Sequence, residues 1–383
     1  MRQSSRMVQI AIVGGGIGGL TTALALKQSG FDSEVFEQAP ALHDVGAAIA
    51  IWPNAMRILE RLDLAEQILA RAGVMREIRW IDQNGFMLNR VSISETPTAV
   101  ALHRADLQRI LVEALPTSSL HLGHTLVNYS HQHDNVIANF DNGRSIEADF
   151  LIGADGIHSQ VRRQLLNDRD PIYRGYIVWR GISTTTPSAI PTDTAIEIHG
   201  CGKRFGIGPV GLGRTGWWAT ANITNIEDTQ HDLSRLFEGW FPPVLDLIEA
   251  TPGSSILITP AFDRPANRHW GSGRMTLLGD AIHPTTPNLG QGGCLAMEDA
   301  IVLARCFEEY GAKEEALRTY ERHRYQRTKA ISSYSRYYGS IGQWENIWAR
   351  GLRRAALALA PEPLAHRLMQ IVFDYDATKV ALP

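Results

Sequence analysis

Three glycines spaced Gly14-x-Gly16-x-x-Gly19 follow the apolar run QIAIV and open a helical pattern. Glycines at this spacing hold a dinucleotide pyrophosphate. Gly14 permits the tight turn, Gly16 lets backbone approach the phosphate, and Gly19 lets helix and strand pack closely. Gly18 lies inside the same opening. The helix that begins here points free N–H groups and the positive end of its dipole at the anion. A second strand, SEVFEQ, then sets Glu37, with Gln38 beside it, eighteen positions after Gly19. A carboxylate at that offset accepts hydrogen bonds from ribose hydroxyls and repels a 2′-phosphate, which points to FAD or NAD rather than NADP. A glycine-rich turn and a solvated strand end without nucleotide stay open on these residues alone.

Two further groups have chemistry in them. In LIGADGIHSQVRRQL (151–165) an apolar strand meets Asp155–Gly156 and leads to a helix carrying Arg162 and Arg163. In LLGDAIHPTTPNLGQGGCLAMEDA (277–300) Asp280 closes a strand, Pro284 and Pro287 stiffen a loop, and Gly290-Gln291-Gly292-Gly293 opens another helix at Cys294. An aspartate before glycine is by itself an ordinary turn signal. His283 lies in the second segment, where it either tunes a bound ring or holds the loop.

The elements that must position these residues follow from periodicity and punctuation. A βαβ unit fills about residues 8–40. Leu20, Ala23, Leu24 and Leu26 give its helix an apolar face, and Gly30 ends it. VGAAIAIWPNAMRILERL reads as strand, turn and helix, and residues 76–100 as strands around an Asn84–Gly85 hairpin. HRADLQRILVEAL reads as a helix with Leu107, Leu111 and Leu115 on one face. Short strands recur from 120 to 152, 176–265 is mainly β, and the chain is helical from about 310. The expectation is an α/β fold. A discontinuous nucleotide domain takes 1–75, 101–175 and 266–340; a β-rich substrate domain takes 76–100 and 176–265; a helical segment takes 341–383.

At 383 residues and 44% hydrophobic, the chain can build two or three sizeable cores. A net charge of −3 leaves no basic footprint for nucleic acid. The opening MRQSSRM has no apolar core of a secretion signal, and no apolar run reaches the ~18 residues of a membrane span. Cys201, Cys294 and Cys306 lie far apart without a C-x-x-C, which argues against disulfides and a metal site. A cytoplasmic protein is expected.

The three motifs, in this order and at these spacings, resemble the single-component FAD-dependent aromatic monooxygenases. This para-hydroxybenzoate hydroxylase-like family includes salicylate, 6-hydroxynicotinate and urate hydroxylases, and the likeness covers roughly residues 8–340. It implies a Rossmann-like FAD-binding domain with a β-sheet substrate domain inserted and C-terminal helices following. It further implies that Gly14, Gly16, Gly18 and Gly19 cradle the pyrophosphate, with Glu37 on the adenosine ribose. Arg104, in HRADLQ, then reaches the phosphate region and Val127 lies near the adenine. Asp155 serves FAD and the nicotinamide nucleotide, and Asp280 the ribityl chain. The amides from Gly290 to Cys294 face the flavin pyrimidine ring, where a helix N-terminus stabilises negative charge. NADH or NADPH reduces FAD, O2 adds to give a flavin C4a-hydroperoxide, and one oxygen atom passes to an aromatic or N-heteroaromatic ring. No second GxGxxG is present, so the choice of nicotinamide nucleotide stays open, as does monomer or homodimer.

The substrate region is less legible. IVWRGIS (Trp179, Arg180), HGCGKRFGIG (Cys201, Lys203, Arg204) and GWWAT (Trp217, Trp218) supply candidates. Strand neighbours point to opposite faces, so Trp217 and Trp218 cannot both line a pocket. Trp179, Trp217, Asn288 and above all Arg204 are taken as substrate-facing, Arg204 as the anchor for a carboxylate or phenolate. Arg204 and His283 are the two candidate catalytic residues. Two departures weaken a urate reading. Urate hydroxylase-like sequences carry aspartate where this chain has Asn288, and their pocket tyrosine falls at or near Gly216. An isoprenoid or polyketide epoxidase or hydroxylase on the same scaffold is the alternative, with a non-catalytic flavin protein behind it. The stretch WENIWARGLRRAALALAP is expected to pack on the FAD domain or a partner subunit, with a membrane-surface helix as the other reading.

Overall fold

The computed structural model describes residues 9–42, 46–93, 98–226 and 232–382. The chain opens with β1 (Gln9–Val13), α1 (Ile17–Gln28), β2 (Asp32–Glu37), β3 (Ala48–Ile51), α2 (Pro53–Arg61) and α3 (Ala65–Leu69). β4 (Gly73–Met75), β5 (Glu77–Asp82), β6 (Met87–Ser92), β7 (Ala99–His103) and α4 (Arg104–Glu113) follow. Next come β8 (Leu120–Leu122), β9 (Leu126–Gln132), β10 (Asn135–Phe140), β11 (Ser145–Ala148), β12 (Phe150–Gly153) and α5 (Gln160–Leu166). β13 (Ile172–Ser183), β14 (Thr194–His199), β15 (Lys203–Gly211) and β16 (Arg214–Asn222) precede α6 (Leu233–Leu236) and α7 (Pro243–Glu249). The last strands are β17 (Leu257–Asp263), β18 (Gly271–Ser272) and β19 (Met275–Leu277). Four helices close the chain: α8 (Gly292–Tyr310), α9 (Glu314–Gly342), α10 (Ile347–Leu359) and α11 (Glu362–Phe373).

Two large sheets carry the architecture. The first runs β18-β19-β12-β1-β2-β8, with β1 parallel to both β2 and β12. Ile10, Ile12, Val35, Phe150 and Ile152 are fully buried in it between helices, as a parallel sheet covered on both faces requires. α1 lies against α8 on this sheet, where Gly18 faces Leu278 and Ala296 closely. The second sheet runs β17-β13-β16-β15-β14-β5-β6, and β5 and β6 meet in a hairpin whose Gly85 has a positive φ. A small sheet, β3-β7-β4, bridges the two, and β11-β10-β9 stands at the nucleotide end.

The second sheet separates its two faces cleanly. Ile177, Trp179, Ile198, Phe205, Trp217 and Ala219 form one core with residues of α6 and α7. Tyr176, Glu197, Arg204, Trp218 and Thr220 alternate with them and take the opposite face. This corrects two expectations. Trp179 and Trp217 are core residues on the face covered by α6 and α7, and Trp217 stacks on Phe205 while its Nε1 donates to Thr251 Oγ1 at 2.8 Å. Alternation holds; its direction is set by the apolar cover of α6 and α7, so Trp218 is the tryptophan on the other face.

The C-terminal stretch differs as well. α10 and α11 lie on β6, but Trp348 is 84% exposed and Arg353 is the buried residue of α10. Within this chain Trp348 and Leu352 turn outward while Leu357 packs inward, and Arg353 donates to the carbonyls of Ile341, Gly342 and Gly200; the expected packing on a partner subunit concerns a second chain.

Candidate active site

The glycine turn is built by close backbone approach. Gly14 has φ +109° and donates to Phe36 O at 2.8 Å, and a Cβ there would lie 2.3 Å from Ala154 O. A Cβ at Gly19 would lie 1.9 Å from Gly14 O, so only glycine lets α1 start where it does. Around Gly16 a Cβ would meet nothing, which leaves its amide facing an open groove of about 530 Å³. Gly15, Gly16, Glu37, Arg104 and Gln108 line this groove. Glu37 accepts from the amides of Gly15 (2.6 Å) and Ala39 (2.9 Å), so it shapes the turn while its side chain still borders the groove. Gln108 of α4 donates to Gly15 O at 3.1 Å, a contact that sequence reasoning missed. Gln38 is exposed at the end of β2, and half-exposed Val127 offers its carbonyl to Gln160.

Asp155 follows β12 directly, and its carboxylate is spent on its own helix. It accepts from Ser159 Oγ at 2.5 Å and from the amides of Gln160 and Val161 at 2.7 and 3.1 Å, capping α5. Burial pushes its pKa up, against these hydrogen bonds. What this motif offers a nucleotide is the backbone of Ala154 and Asp155 beside Gly14.

Asp280 sits on a single turn after β19, with the first turn of α8 beside it and Arg104 of the groove lining acting on its carboxylate. Asp280 is exposed to solvent, although protein atoms crowd its carboxylate. Burial raises its pKa, while His283 and Arg104 pull it down. The structure thus brings Arg104, Asp280 and the α8 N-terminus together from three remote segments. The first turn of α8 contains no acid, so its free amides keep their positive end. Gly290 ends the preceding turn with φ +60°, close to Trp52 Nε1, and Gly292 lies near Asp280 Oδ1. Gly293 packs on Ile49, and buried Gln291 accepts from Asn54 at 3.0 Å. Cys294 is buried against Ala50 O with a pKa pushed up to about 12, so only its amide, never a thiolate, serves the groove.

His283 does not face this groove as a catalytic group would. Its Nε2 lies 2.6 Å from Asp299 Oδ2, and the same oxygen accepts from the Gly279 amide at 3.0 Å. Arg324 of α9 holds Asp299 at 2.6 Å and Glu298 at 2.7 Å, all without solvent exposure. Although burial opposes it, charge from His283 and Arg324 holds Asp299 below the usual carboxylate range. His283 is therefore a positioning residue that fixes the Asp280 loop to α8.

Arg204 is fully buried, and each of its three nitrogens donates to a protein acceptor. Nε donates to Gln343 Oε1 at 3.1 Å, Nη1 to Glu197 at 3.0 Å, and Nη2 to Asn288 Oδ1. Its guanidinium stacks over Trp218 (5.3 Å) and Tyr338 (5.8 Å). Asn288 donates to Tyr176 Oη, Thr286 Oγ1 and Ser335 O at 2.9–3.0 Å, and Tyr338 donates to Glu197 at 2.5 Å. The expectation of a free cation awaiting a substrate carboxylate is corrected: Glu197 already supplies the counter-charge. Glu197 had a signal in the sequence, an acid at period two between Ile196 and Ile198. Tyr338 and Gln343, on a helix far along the chain, had none.

The groove fits FAD. It has an amide-lined phosphate cradle with no room for a Cβ at Gly14 or Gly19, two carboxylates, and a bare helix N-terminus. Among the described residues no group of three His, Cys, Asp or Glu side chains is set to hold a metal. The model of a family described as "FAD binding domain" matches residues 7–201 and 254–335. Aurachin C monooxygenase/isomerase of Stigmatella aurantiaca is 37% identical, over 91% of this chain and 94% of that protein. An FAD-dependent urate hydroxylase of Klebsiella pneumoniae subsp. pneumoniae is 34% identical, over 89% and 94%. Crystalline Klebsiella pneumoniae HpxO with FAD and uric acid superposes with a TM-score of 0.87 at 31% identity, covering 95% of this chain and 97% of that one. The chain belongs to this FAD-binding family, and it is an FAD-dependent monooxygenase of the aromatic-hydroxylase kind.

Proposed function

We propose that the protein hydroxylates a phenolic or N-heteroaromatic ring that carries no carboxylate, using NADH or NADPH and O2. FAD, when bound, passes electrons from the nicotinamide to O2 and delivers one oxygen atom to the ring. One substrate, one O2, one NAD(P)H and one proton then become hydroxylated product, water and NAD(P)+.

The observation that carries the reading is the internal pairing of Arg204 with Glu197. A buried guanidinium already neutralised and hydrogen-bonded has no charge left for a substrate carboxylate. Beside it, half-buried Trp218 presents a ring edge or face to a flat substrate on the sheet face that bears Arg204. At the groove the chain's own work is positional. The α8 amides and Arg104 favour negative charge on a reduced flavin ring and its phosphates. The two sheets and α9 exclude water. Aurachin C, urate and 6-hydroxynicotinate relatives are consistent with a ring substrate.

The test is a panel of neutral phenols and N-heterocycles beside the matching carboxylic acids. Stimulated NAD(P)H oxidation with a product heavier by one oxygen is expected for the neutral group. Coupled turnover of the acids alone overturns the carboxylate-free reading. NAD(P)H oxidation that yields only peroxide with every compound overturns hydroxylation of this class.

A further inference from the structure

A second cavity, of about 270 Å³, lies between α9 and the segment 264–283. Lys329, Ser332 and Arg336, at i, i+3 and i+7 on one face of α9, form one wall. Arg264, Asn267 and His283 belong to the other. No carboxylate lines the cavity, and α9 has no acid from Arg322 to its end. Residues 264–279 have none either.

The cations here outnumber their counter-charges. Arg264 shares Asp168 with Arg162, and Arg336 shares Asp263 with Arg174, so four guanidinium groups meet two carboxylates. Asp170 also acts on Arg264, but Arg163 acts on it with the opposite sign. At the exposed rim, Lys329 Nζ lies 5.9 Å and Arg268 Cζ 5.0 Å from the centre of the Tyr325 ring. Neither of these two cations has a carboxylate partner among the described residues. Like charges gathered in this way repel one another, and an anion among them relieves the repulsion. The buried part of the lining points the same way. Ser332 Oγ and His283 Nδ1 have no hydrogen-bond partner among the described residues, although each residue is only 7% exposed. Polar atoms this deeply buried are ordinarily paired. A tetrahedral oxyanion, with several acceptor oxygens and up to two charges, suits such a set of groups. The cavity admits one group of this kind and not a nucleic-acid backbone.

We propose that this cavity binds a terminal phosphate group, as inorganic phosphate or as the 2′-phosphate that NADPH has and NADH lacks. The test is calorimetric titration of FAD-loaded protein with potassium phosphate, beside potassium chloride at equal ionic strength. One saturable site is expected for phosphate and none for chloride. The double variant Arg268→Met/Lys329→Met should weaken phosphate at least ~10-fold, with FAD content and phosphate-free melting unchanged. Steady-state kinetics then separate the two sources. With NADPH as the ligand, phosphate competes with NADPH but not with NADH, and the double variant raises KM for NADPH alone. With free phosphate as the ligand, phosphate affects the kinetics of both nucleotides alike. This kinetic arm rests on the proposed use of NADH or NADPH; the calorimetric arm does not, so the two fail separately. Three outcomes overturn the proposal. Phosphate gives no saturable heat, or chloride matches it, or the folded double variant binds phosphate as tightly as wild type.

Discussion

Glu197 is the residue on which the buried Arg204 depends. Removing one partner of a buried pair leaves an uncompensated charge, so Glu197→Gln is expected to cost about 3–5 kcal/mol of stability. Urea titration measures this. In the double variant Arg204→Gln/Glu197→Gln the loss should fall well short of the sum of the two single losses, and simple additivity refutes the pairing. His199, one alternation further along β14, carries the pH dependence. Burial first, then Arg204 and Arg353, lower its pKa to about 4 although Glu197 pulls the other way. The folded chain keeps this ring neutral, whereas the unfolded chain binds a proton below about 6.5. Its contribution is therefore complete above pH 6.5 and is lost as pH falls towards 4, about 3 kcal/mol in all. His199→Asn should flatten the stability–pH curve between pH 6.5 and 5, where few carboxylates titrate. The glycine turn at Gly14 and Gly19 was readable from sequence because its glycines and Glu37 lie within one βαβ unit, although Gly14 also packs on distant Ala154. The partners of Arg204 were not, since Gln343 and Asn288 reach it across 139 and 84 residues.

At the scale of a strand, β16 gives two adjacent tryptophans different work. Trp217→Phe removes a buried hydrogen bond to Thr251 and should cost about 1–2 kcal/mol with KM unchanged. Trp218→Phe weakens the stacking on Arg204 and should shift KM several-fold while stability changes by less than about 1 kcal/mol. Thermal melting beside steady-state kinetics separates the two, and an unchanged KM for Trp218→Phe sinks the assignment of faces. Period-two alternation was legible in GWWAT, as was the hairpin at Asn84–Gly85. Which face meets the groove was not, because α6 and α7 decide it from outside the strand. α10 shows the same limit in helical form. Its amphipathic spacing was visible, but the carbonyls of Gly200, Ile341 and Gly342 accept from Arg353 and turn that arginine inward.

α9 ties the whole molecule together. Through Arg324 it holds Glu298 and Asp299, and so His283 and the Asp280 loop at the flavin end. Twenty-nine residues long, it ends where Gly342 and Gln343 meet Arg204 on the second sheet. The contact at Gly342 leaves no slack: a Cβ there would lie 2.7 Å from Arg204 Cδ and Nε. Both neighbours are buried, so Gly342→Ala must move either the helix end or the arginine. The glycine turn and the α8 N-terminus lie on the first sheet and keep their geometry, so FAD content should match wild type. The second sheet no longer registers against the flavin loop, and substrate is held loosely in a site that admits water. NAD(P)H oxidation is then expected to continue at a comparable rate, with hydroxylated product per NAD(P)H falling several-fold and peroxide rising to match. Flavin absorbance per chain, product yield and peroxide, measured on one preparation, decide it. Retained FAD with fully coupled product formation would show that the two layers work without the register α9 imposes.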